Sequence, residues 1–300
     1  MKLLQPQHWV DYELIDSGDY EKLERFGKYI VRRPEPQAVW RRSLPEQEWE
    51  NRADATFRKE KGKLSQDGND RGTWVQKRGM PDQWFISYKY KDMHLQFRLG
   101  LTSFKHVGIF PEQSENWDFI YDTIKSIDIE DFKVLNLFAY TGGASIAAKS
   151  AGADVTHVDS VKQVISWSRE NMEASGLDNI RWIVEDALKF CRREVKRGKR
   201  YNGIILDPPA YGRGPDGERW ILEENIAEIM QLCSDLLEKD DSFLILNLYS
   251  MGFSSVIAEN LIKDYFPDVS DCEYGELALP DRSGKRLPLS VYARFVRKNK

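Results

Sequence analysis

Four short segments in the second half of the chain gather the side chains that could do chemistry. They are Ala139-Tyr140-Thr141-Gly142-Gly143-Ala144-Ser145, His157-Val158-Asp159-Ser160, Glu185-Asp186-Ala187 and Asp207-Pro208-Pro209-Ala210-Tyr211. Adjacent glycines at 142 and 143 permit a tight turn and let a ligand approach the main chain where a Cβ would collide. Asp159 can accept hydrogen bonds from both hydroxyls of a ribose. Asp186 reads either as the N-cap of a helix or as a carboxylate accepting from an adenine amino group. In the fourth segment two prolines fix the main chain and remove two N–H donors, leaving carbonyl oxygens and the Asp207 carboxylate as acceptors. Those acceptors suit a substrate amino group or ring N–H, and Tyr211 could stack on a flat base.

Each feature taken alone has an ordinary explanation as a turn or a helix cap. Their ordered recurrence after successive strands is what points to a nucleoside. A nicotinamide-dependent dehydrogenase would carry G-x-G-x-x-G, whereas this turn offers Thr-Gly-Gly-Ala-Ser. Such an enzyme also has no use for the Asp-Pro-Pro turn.

The elements that must position these residues are legible from Phe132 onward. FKVLNLFA is a near-continuous apolar run, as expected of a strand buried on both faces of a parallel sheet. It is followed by helix ASIAAKSAG, strand DVTHVD, helix VKQVISWSRENMEASG, strand IRWIV, helix DALKFCRREVKRG, strand YNGIILD, helix RWILEENIAEIMQLCSDLLEK and strand FLILNLY. This alternation predicts an α/β, doubly wound Rossmann-like sheet, whose ligands sit at the carboxyl ends of the strands by the topological switch point. Residues 10–100 instead read as β structure: VDYELID, YIVRRP, QAVWRR, WFISYKY and MHLQFRLG. The charged, glycine-bearing stretch Glu46–Asp82 predicts an exposed loop or hairpin. We expect a smaller β-rich, substrate-facing domain over 1–101 and a catalytic domain over 102–300, joined through SFKHVGIFPEQSENW.

VLNLFAYTGGAS, HVDS, VEDA and LDPPAYGRG resemble successive motifs of the class I S-adenosylmethionine (SAM)-dependent methyltransferases. More narrowly they resemble the bacterial 23S ribosomal RNA base methyltransferases of the RlmI and RlmK type, over about Thr102–Arg297. The resemblance implies SAM as cofactor and ribosomal RNA as substrate. It implies that Tyr140, Thr141, Gly142 and Gly143 line the cofactor site, with Asp159 and Ser160 at the ribose and Asp186 and Ala187 at the adenine. Asp207 and Pro208 would lie near the methionine or the target base, with Tyr211 beside them as the third residue of the reaction site. Phe110 and Gln113 of FPEQ match a segment that lies over the cofactor in the related enzymes, with Ser114 where those have arginine. Two departures stand out. The chain has no room for a PUA RNA-binding domain before Tyr12, and it lacks a cysteine in both places where related cytosine-C5 enzymes hold their nucleophile, DPPAYGRG and LNLYSMGF.

Composition bounds the alternatives. At 41% hydrophobic and 31% charged residues the chain is globular in character. No run approaches the ~20 apolar residues of a membrane span, and no leader is legible, so we expect a cytoplasmic protein without membrane contact. Cys191, Cys233 and Cys272 match neither a metal site nor a disulfide framework, and we expect free thiols and no metal. His94, His106 and His157 read as structural, with His106 the one left open.

The net charge of -4 is uneven: residues 1–106 hold 20 Lys+Arg against 16 Asp+Glu. Arg32-Arg33, Arg41-Arg42 and Lys77-Arg78 lie among Trp40, Trp49, Trp74 and Trp84. Basic residues interleaved with aromatics suit an RNA-binding surface. The same pattern also fits a solvated basic face over a tryptophan-bearing core. Three functions are therefore in play: an RNA base methyltransferase, a methyltransferase of a small molecule or protein, and a SAM-binding module without catalysis.

Overall fold

The structure, a computed structural model, describes residues 1–60, 71–127, 129–248 and 252–299. Most of KGKLSQDGNDRG and the Tyr249-Ser250-Met251 stretch therefore lie outside the described residues. The chain divides into two compact units. The larger comprises Met1–Leu4, Gln113–Leu277 and Ser290–Lys300, and the smaller Gln5–Glu112 and Ala278–Leu289. The division thus falls between Glu112 and Gln113, and the smaller unit recruits a segment from near the C-terminus.

In chain order, β1 (Lys2–Leu4) precedes the elements of the smaller unit: β2 (Tyr12–Gly18), β3 (Glu21–Phe26), β4 (Tyr29–Pro34), α1 (Glu46–Arg52), β5 (Ala55–Lys59), β6 (Gly72–Gln76), β7 (Gln83–Tyr90) and β8 (Met93–Gly100). The larger unit follows with α2 (Ser114–Ser126), β9 (Lys133–Leu137), α3 (Gly143–Ser150), β10 (Asp154–Asp159), α4 (Lys162–Ala174), β11 (Arg181–Val184) and α5 (Ala187–Lys196). It continues through β12 (Gly203–Leu206), β13 (Tyr211–Arg213), β14 (Arg219–Ile221), α6 (Leu222–Leu236), β15 (Ser242–Leu248) and α7 (Ser255–Tyr265). The chain closes with β16 (Glu273–Pro280) and β17 (Arg286–Arg297).

The large sheet runs β1-β16-β17-β15-β12-β9-β10-β11. β9, β10, β11, β12 and β15 are mutually parallel, and β17 runs antiparallel to β15. Strand order reverses about β9, with β10 and β11 on one side and β12 and β15 on the other, so the switch point lies between β9 and β12. This is the doubly wound sheet expected from the sequence. Apolar residues of β9, β12 and β15 (Leu135, Leu137, Ile204, Leu206, Leu244, Leu246) pack in one core with Phe190 of α5, Met230 of α6 and Ile262 of α7. Burying such side chains supplies roughly 1.5–3 kcal/mol each, enough to hold the strand ends rigidly.

Two elements depart from the sequence expectation here. The stretch assigned to a linker enters α2, whose buried Trp117, Ile120, Tyr121 and Ile124 have helical spacing. Arg219-Trp220-Ile221, expected to open a long helix, pairs with Tyr211–Arg213 as a hairpin instead. The Trp220 indole N–H donates to the Pro209 carbonyl at 2.7 Å, which draws the return strand onto the proline turn.

The smaller unit has a five-stranded sheet, β2-β3-β4-β5-β6, and a separate hairpin, β7-β8. Asp19 and Tyr20, with φ of 50° and 65°, form the two-residue turn between β2 and β3, a conformation common for aspartate but not for tyrosine. QAVWRR is no strand. Prolines 34 and 36 flank a turn in which the Ala38 N–H donates to the Glu35 carbonyl at 3.1 Å. Glu46–Asp82 contributes α1 as well as the β5-β6 pair.

Among the described residues no helix is long and apolar enough to cross a membrane. Nor, among them, does any group of three or more His, Cys, Asp and Glu side chains have the arrangement to hold a metal ion.

Candidate functional site

The turn after β9 is built on unusual backbone. Phe138 and Tyr140 have φ of 55° and 48°, and Gly142 has φ of 85° at the N-cap of α3. Left-handed conformations at non-glycine residues cost of order 1–3 kcal/mol and persist only where neighbours enforce them. Here a buried polar network does so. The Asn136 amide donates to Ser145 Oγ at 2.8 Å, and Ser145 Oγ lies 2.9 Å from His157 Nδ1. The His157 ring also hydrogen-bonds the Tyr140 main chain. Ser168 Oγ donates to the Tyr140 carbonyl at 2.7 Å, and the Asn171 amide to the Thr141 carbonyl at 2.9 Å. Burial drives the His157 pKa down to about 3, so the imidazole is neutral near neutral pH.

The glycines serve this turn in different ways. A Cβ at Gly142 would sit 3.2 Å from Ser168 Cβ, in addition to the strain at its positive φ. A Cβ at Gly143 would meet the Trp117 indole at 2.6 Å, so this glycine lets α2 approach α3. The space beside its Cα, expected to admit a ligand, belongs to Trp117.

Asp159, at the carboxyl end of β10, is tied to the same turn. Its Oδ2 accepts from the Tyr140 N–H at 2.9 Å and its Oδ1 from the Val161 N–H at 2.9 Å. Burial raises its pKa to about 6, and the N–H groups of Val161, Tyr140 and Ser160 oppose the rise. With three main-chain N–H donors on its two oxygens, the carboxylate keeps acceptor capacity for a ribose hydroxyl. Asp186 is the N-cap of α5, accepting from the Lys189 N–H at 2.9 Å through Oδ1, and Ala187 beside it is buried. Capping leaves Asp186 Oδ2 without a partner among the described residues, so the cap does not preclude an adenine contact.

Asp207 directly follows β12 and differs in kind. Among the described residues nothing donates to its carboxylate, and burial alone pushes its pKa to about 7. The proline turn is narrower in acceptors than the sequence implied. The Pro209 carbonyl is taken by Trp220 and the Ala210 carbonyl by the Leu222 N–H at 3.0 Å. That leaves the Asp207 carboxylate and the Pro208 carbonyl. Tyr211 stands half-buried on β13, its hydroxyl 3.2 Å from Arg213 Nε.

Gln113 opens the larger unit, whereas Phe110 belongs to the smaller one, where its ring lies 5.3 Å from that of His106. The orientation of Gln113 follows from Arg294, which can only donate. Arg294 Nη1 donates to Asn116 Oδ1 at 3.1 Å, so the Asn116 amide nitrogen must donate, to Asn247 Oδ1 at 3.0 Å and Gln113 Oε1 at 2.9 Å. Asn247 Nδ2 then donates to the same Gln113 oxygen at 3.2 Å. Gln113 therefore presents its NH2 group outward, a donor suited to a carboxylate.

Sequence reasoning missed Asn136, Asn247 and the role of His157. The signal was a lone asparagine inside each of two apolar strands, VLNLF and FLILNLY.

The basic residues of the smaller unit are largely spoken for. Arg33 makes a two-pronged bond to Glu24 at 2.5 and 3.0 Å, with both side chains buried. Burial would raise the Glu24 carboxyl, but Arg33 and Lys22 hold it at about 2. Arg32 bonds Glu21 at 2.6 Å and Glu46 at 2.5 Å, and Arg42 pairs with the same two carboxylates. The four tryptophan N–H groups bond Ser17, Asp16, Phe104 and Phe26. Arg41, Lys77 and Arg78 remain exposed. The arginine pairs thus build a charged interior more than an open phosphate face.

Comparison with known proteins places this geometry among relatives. The family model described as Conserved hypothetical protein 95 matches residues 106–240. The ribosomal RNA large subunit methyltransferase K/L of Shewanella frigidimarina is 30% identical over 156 residues, 51% of this chain and 21% of that protein. The ribosomal RNA large subunit methyltransferase I of Klebsiella pneumoniae is 30% identical over 127 residues, 41% of this chain and 28% of that protein. The matched stretch thus spans no more than 28% of the length of either curated relative. Among solved structures, the SAM-dependent methyltransferase from Agrobacterium tumefaciens superposes with a TM-score of 0.89 at 36% identity, over 99% of this chain and 94% of that one. SMU.776, complexed with SAH, gives a TM-score of 0.70 at 18% identity over 96% of this chain and 76% of its own, a likeness of fold.

Proposed function

The chain belongs to the SAM-dependent methyltransferases, and from that premise we propose that it methylates a base of ribosomal RNA in the cytoplasm. The observation that carries a catalytic role is Asp207: a half-buried carboxylate at the switch point, with its pKa raised to about 7 and no internal partner among the described residues. A binding module without chemistry has no use for a carboxylate whose charged form its surroundings disfavour and no neighbouring donor stabilises. The ribosomal RNA substrate is supported by the curated relatives, whose names give that class.

Bound SAM supplies a methyl group already activated on a sulfonium, and SAH is left when it has gone. The chain's own residues have the simpler tasks of alignment and charge placement. Asp159 would accept from the ribose hydroxyls and Asp186 from the adenine amino group. The Gln113 amide donates to the amino-acid carboxylate. Asp207 and the Pro208 carbonyl accept from an N–H of the target base, holding its lone pair in line with the methyl group. As the new bond forms, Asp207 is placed to take the displaced proton, for which a pKa near 7 is well matched.

A small-molecule or protein substrate is the alternative, favoured by the net charge of -4 and by the buried pairing of the N-terminal arginines. Tritiated-SAM labelling of ribosomal RNA from cells lacking the protein separates the two. Label in the large-subunit RNA, localised by nucleoside analysis, is expected; label confined to protein or small-molecule fractions would favour the alternative.

A further inference from the structure

We infer that the hairpin β13-β14, directly after the proline turn, is a phosphodiester-binding face for the RNA substrate, with Arg213 and Arg219 as its anchors. In its antiparallel register Tyr211 pairs with Ile221, Gly212 with Trp220, and Arg213 with Arg219. Side chains alternate along a strand, so Tyr211, Arg213, Arg219 and Ile221 share one face, and Gly212, Glu218 and Trp220 belong to the other. The contacts bear this out.

Trp220 is 2% exposed, its ring 4.7 Å from that of Phe138 and its N–H on Pro209. Glu218 and the turn residue Asp216 reach Lys189 of α5 at 3.3 and 2.6 Å. That face fastens the hairpin to the larger unit and uses up its acidic groups. On the opposite face, Arg213 Nε reaches the Tyr211 hydroxyl, while Arg213 and Arg219 are exposed. Among the described residues neither arginine has a carboxylate partner, although Glu223 and Glu224 stand exposed in the first turn of α6.

Like charges directly opposite one another across a β pair destabilise it. The arrangement therefore makes sense when an anion lies between the two guanidinium groups, and guanidinium forks match phosphate oxygens well. The half-buried Tyr211 ring on the same face adds a stacking surface for a base. Two cations and an aromatic ring beside Asp207 and Pro208 would grip the strand on which the target base lies. This inference deepens the RNA reading proposed above and rests on it for the identity of the anion.

The test uses the full chain and an unmodified transcript of large-subunit ribosomal RNA, with binding followed by filter retention over a range of salt. The Arg213→Ala/Arg219→Ala variant should bind the transcript roughly tenfold or more weakly, with a log–log salt slope shallower by ~1.4 for two lost phosphate contacts. Its SAM affinity by calorimetry should be unchanged, and Arg213→Lys/Arg219→Lys should keep the wild-type slope. Equal affinity and slope for wild type and the alanine variant would overturn the inference, as would a wild type that does not bind the transcript. Arginine-dependent binding without methyl transfer would leave this face standing and remove the proposed activity instead.

Discussion

Asp159 ends one strand of the large sheet and Asp207 directly follows another, and only Asp159 is held by main-chain N–H groups. Asp159 accepts from Tyr140 and Val161, each at 2.9 Å, whereas no described residue donates to Asp207. Burial raises both carboxyls, to about 6 and about 7 respectively. On the function proposed above, the difference separates an acceptor fixed for binding from one left open for a reacting group.

Asp207 therefore opposes stability. Its folded pKa of about 7 exceeds the ordinary 3.8, so the folded state binds the proton more tightly and stability is lost as pH rises from about 4 to about 7. Asp207→Asn should be more resistant to urea than wild type at pH 8, with the gap narrowing as pH falls towards 5. Its turnover should collapse while SAM affinity holds. Wild-type turnover should climb with pH through about 7. A variant less stable than wild type at pH 8 would contradict the open carboxylate.

For Asp159 the expected loss is in cofactor affinity. Asp159→Ala should weaken SAM binding by ~1–3 kcal/mol in calorimetry, the usual cost of losing hydrogen bonds to a charged group. Because the carboxyl titrates at about 6, wild-type affinity should fall as the pH drops below that value and stay level above it. Unchanged affinity in the variant would mean that the ribose lies elsewhere.

His157 tests the support beneath the turn. It links Ser145 to the main chain of Tyr140, whose positive φ needs enforcement. His157→Phe fills the space but removes both bonds. It should raise the KM for SAM more than it lowers kcat, and His157→Gln, which retains a donor and an acceptor, should recover part of the loss. With its pKa near 3, the imidazole should add no pH dependence between 5 and 8. Equal damage from Phe and Gln would reduce His157 to a matter of volume.

Much of the larger unit was legible because its signals are local. Buried parallel strands read as apolar runs, and the described residues of VLNLF, DVTHVD, IRWIV, YNGIILD and FLILNL supplied strands of one sheet. The candidate site was legible for the same reason: a doubly wound sheet fixes where strand ends go. What sequence could not resolve was set by partners distant along the chain. Whether Arg33 faces water or Glu24 depends on register between β3 and β4, which no local pattern states. Gly143 reads as a ligand cradle until Trp117 is seen filling the space. Arg219-Trp220-Ile221 has helical periodicity with α6, but pairing with Tyr211–Arg213 and the indole-to-carbonyl bond to Pro209 hold it in a hairpin.

The Glu24–Arg33 pair should behave as a structural element. Both groups are buried, and Tyr12 also donates to Glu24 at 2.9 Å. Removing Arg33 leaves the buried Glu24 with only Lys22 at 3.7 Å and the Tyr12 hydroxyl, so Arg33→Met should cost ~3 kcal/mol in chemical denaturation. The double variant Glu24→Met/Arg33→Met should be less destabilised than the single. A single variant as stable as wild type would return Arg33 to the pool of groups free to meet RNA.

The cysteines bear on which atom receives the methyl group. Addition of an enzyme nucleophile to a cytosine ring requires a thiolate within reach of the base. Cys191 and Cys233 are fully buried on α5 and α6, and burial raises both thiols, Cys233 to about 12. Cys272, half-buried, is raised to about 11, burial again the largest cause. None lies in the proline turn, and Leu246 to Phe253 contains no cysteine in sequence. We therefore propose attack by a lone pair the base already owns, on a ring or exocyclic nitrogen, or carbon methylation without a covalent adduct. Alanine at each of the three positions should leave turnover intact. RNA containing 5-fluorocytosine should give no adduct that survives a denaturing gel. A stable adduct, abolished by one of the alanine substitutions, would show that a cysteine reaches the base after all and would move the target to C5 of a pyrimidine.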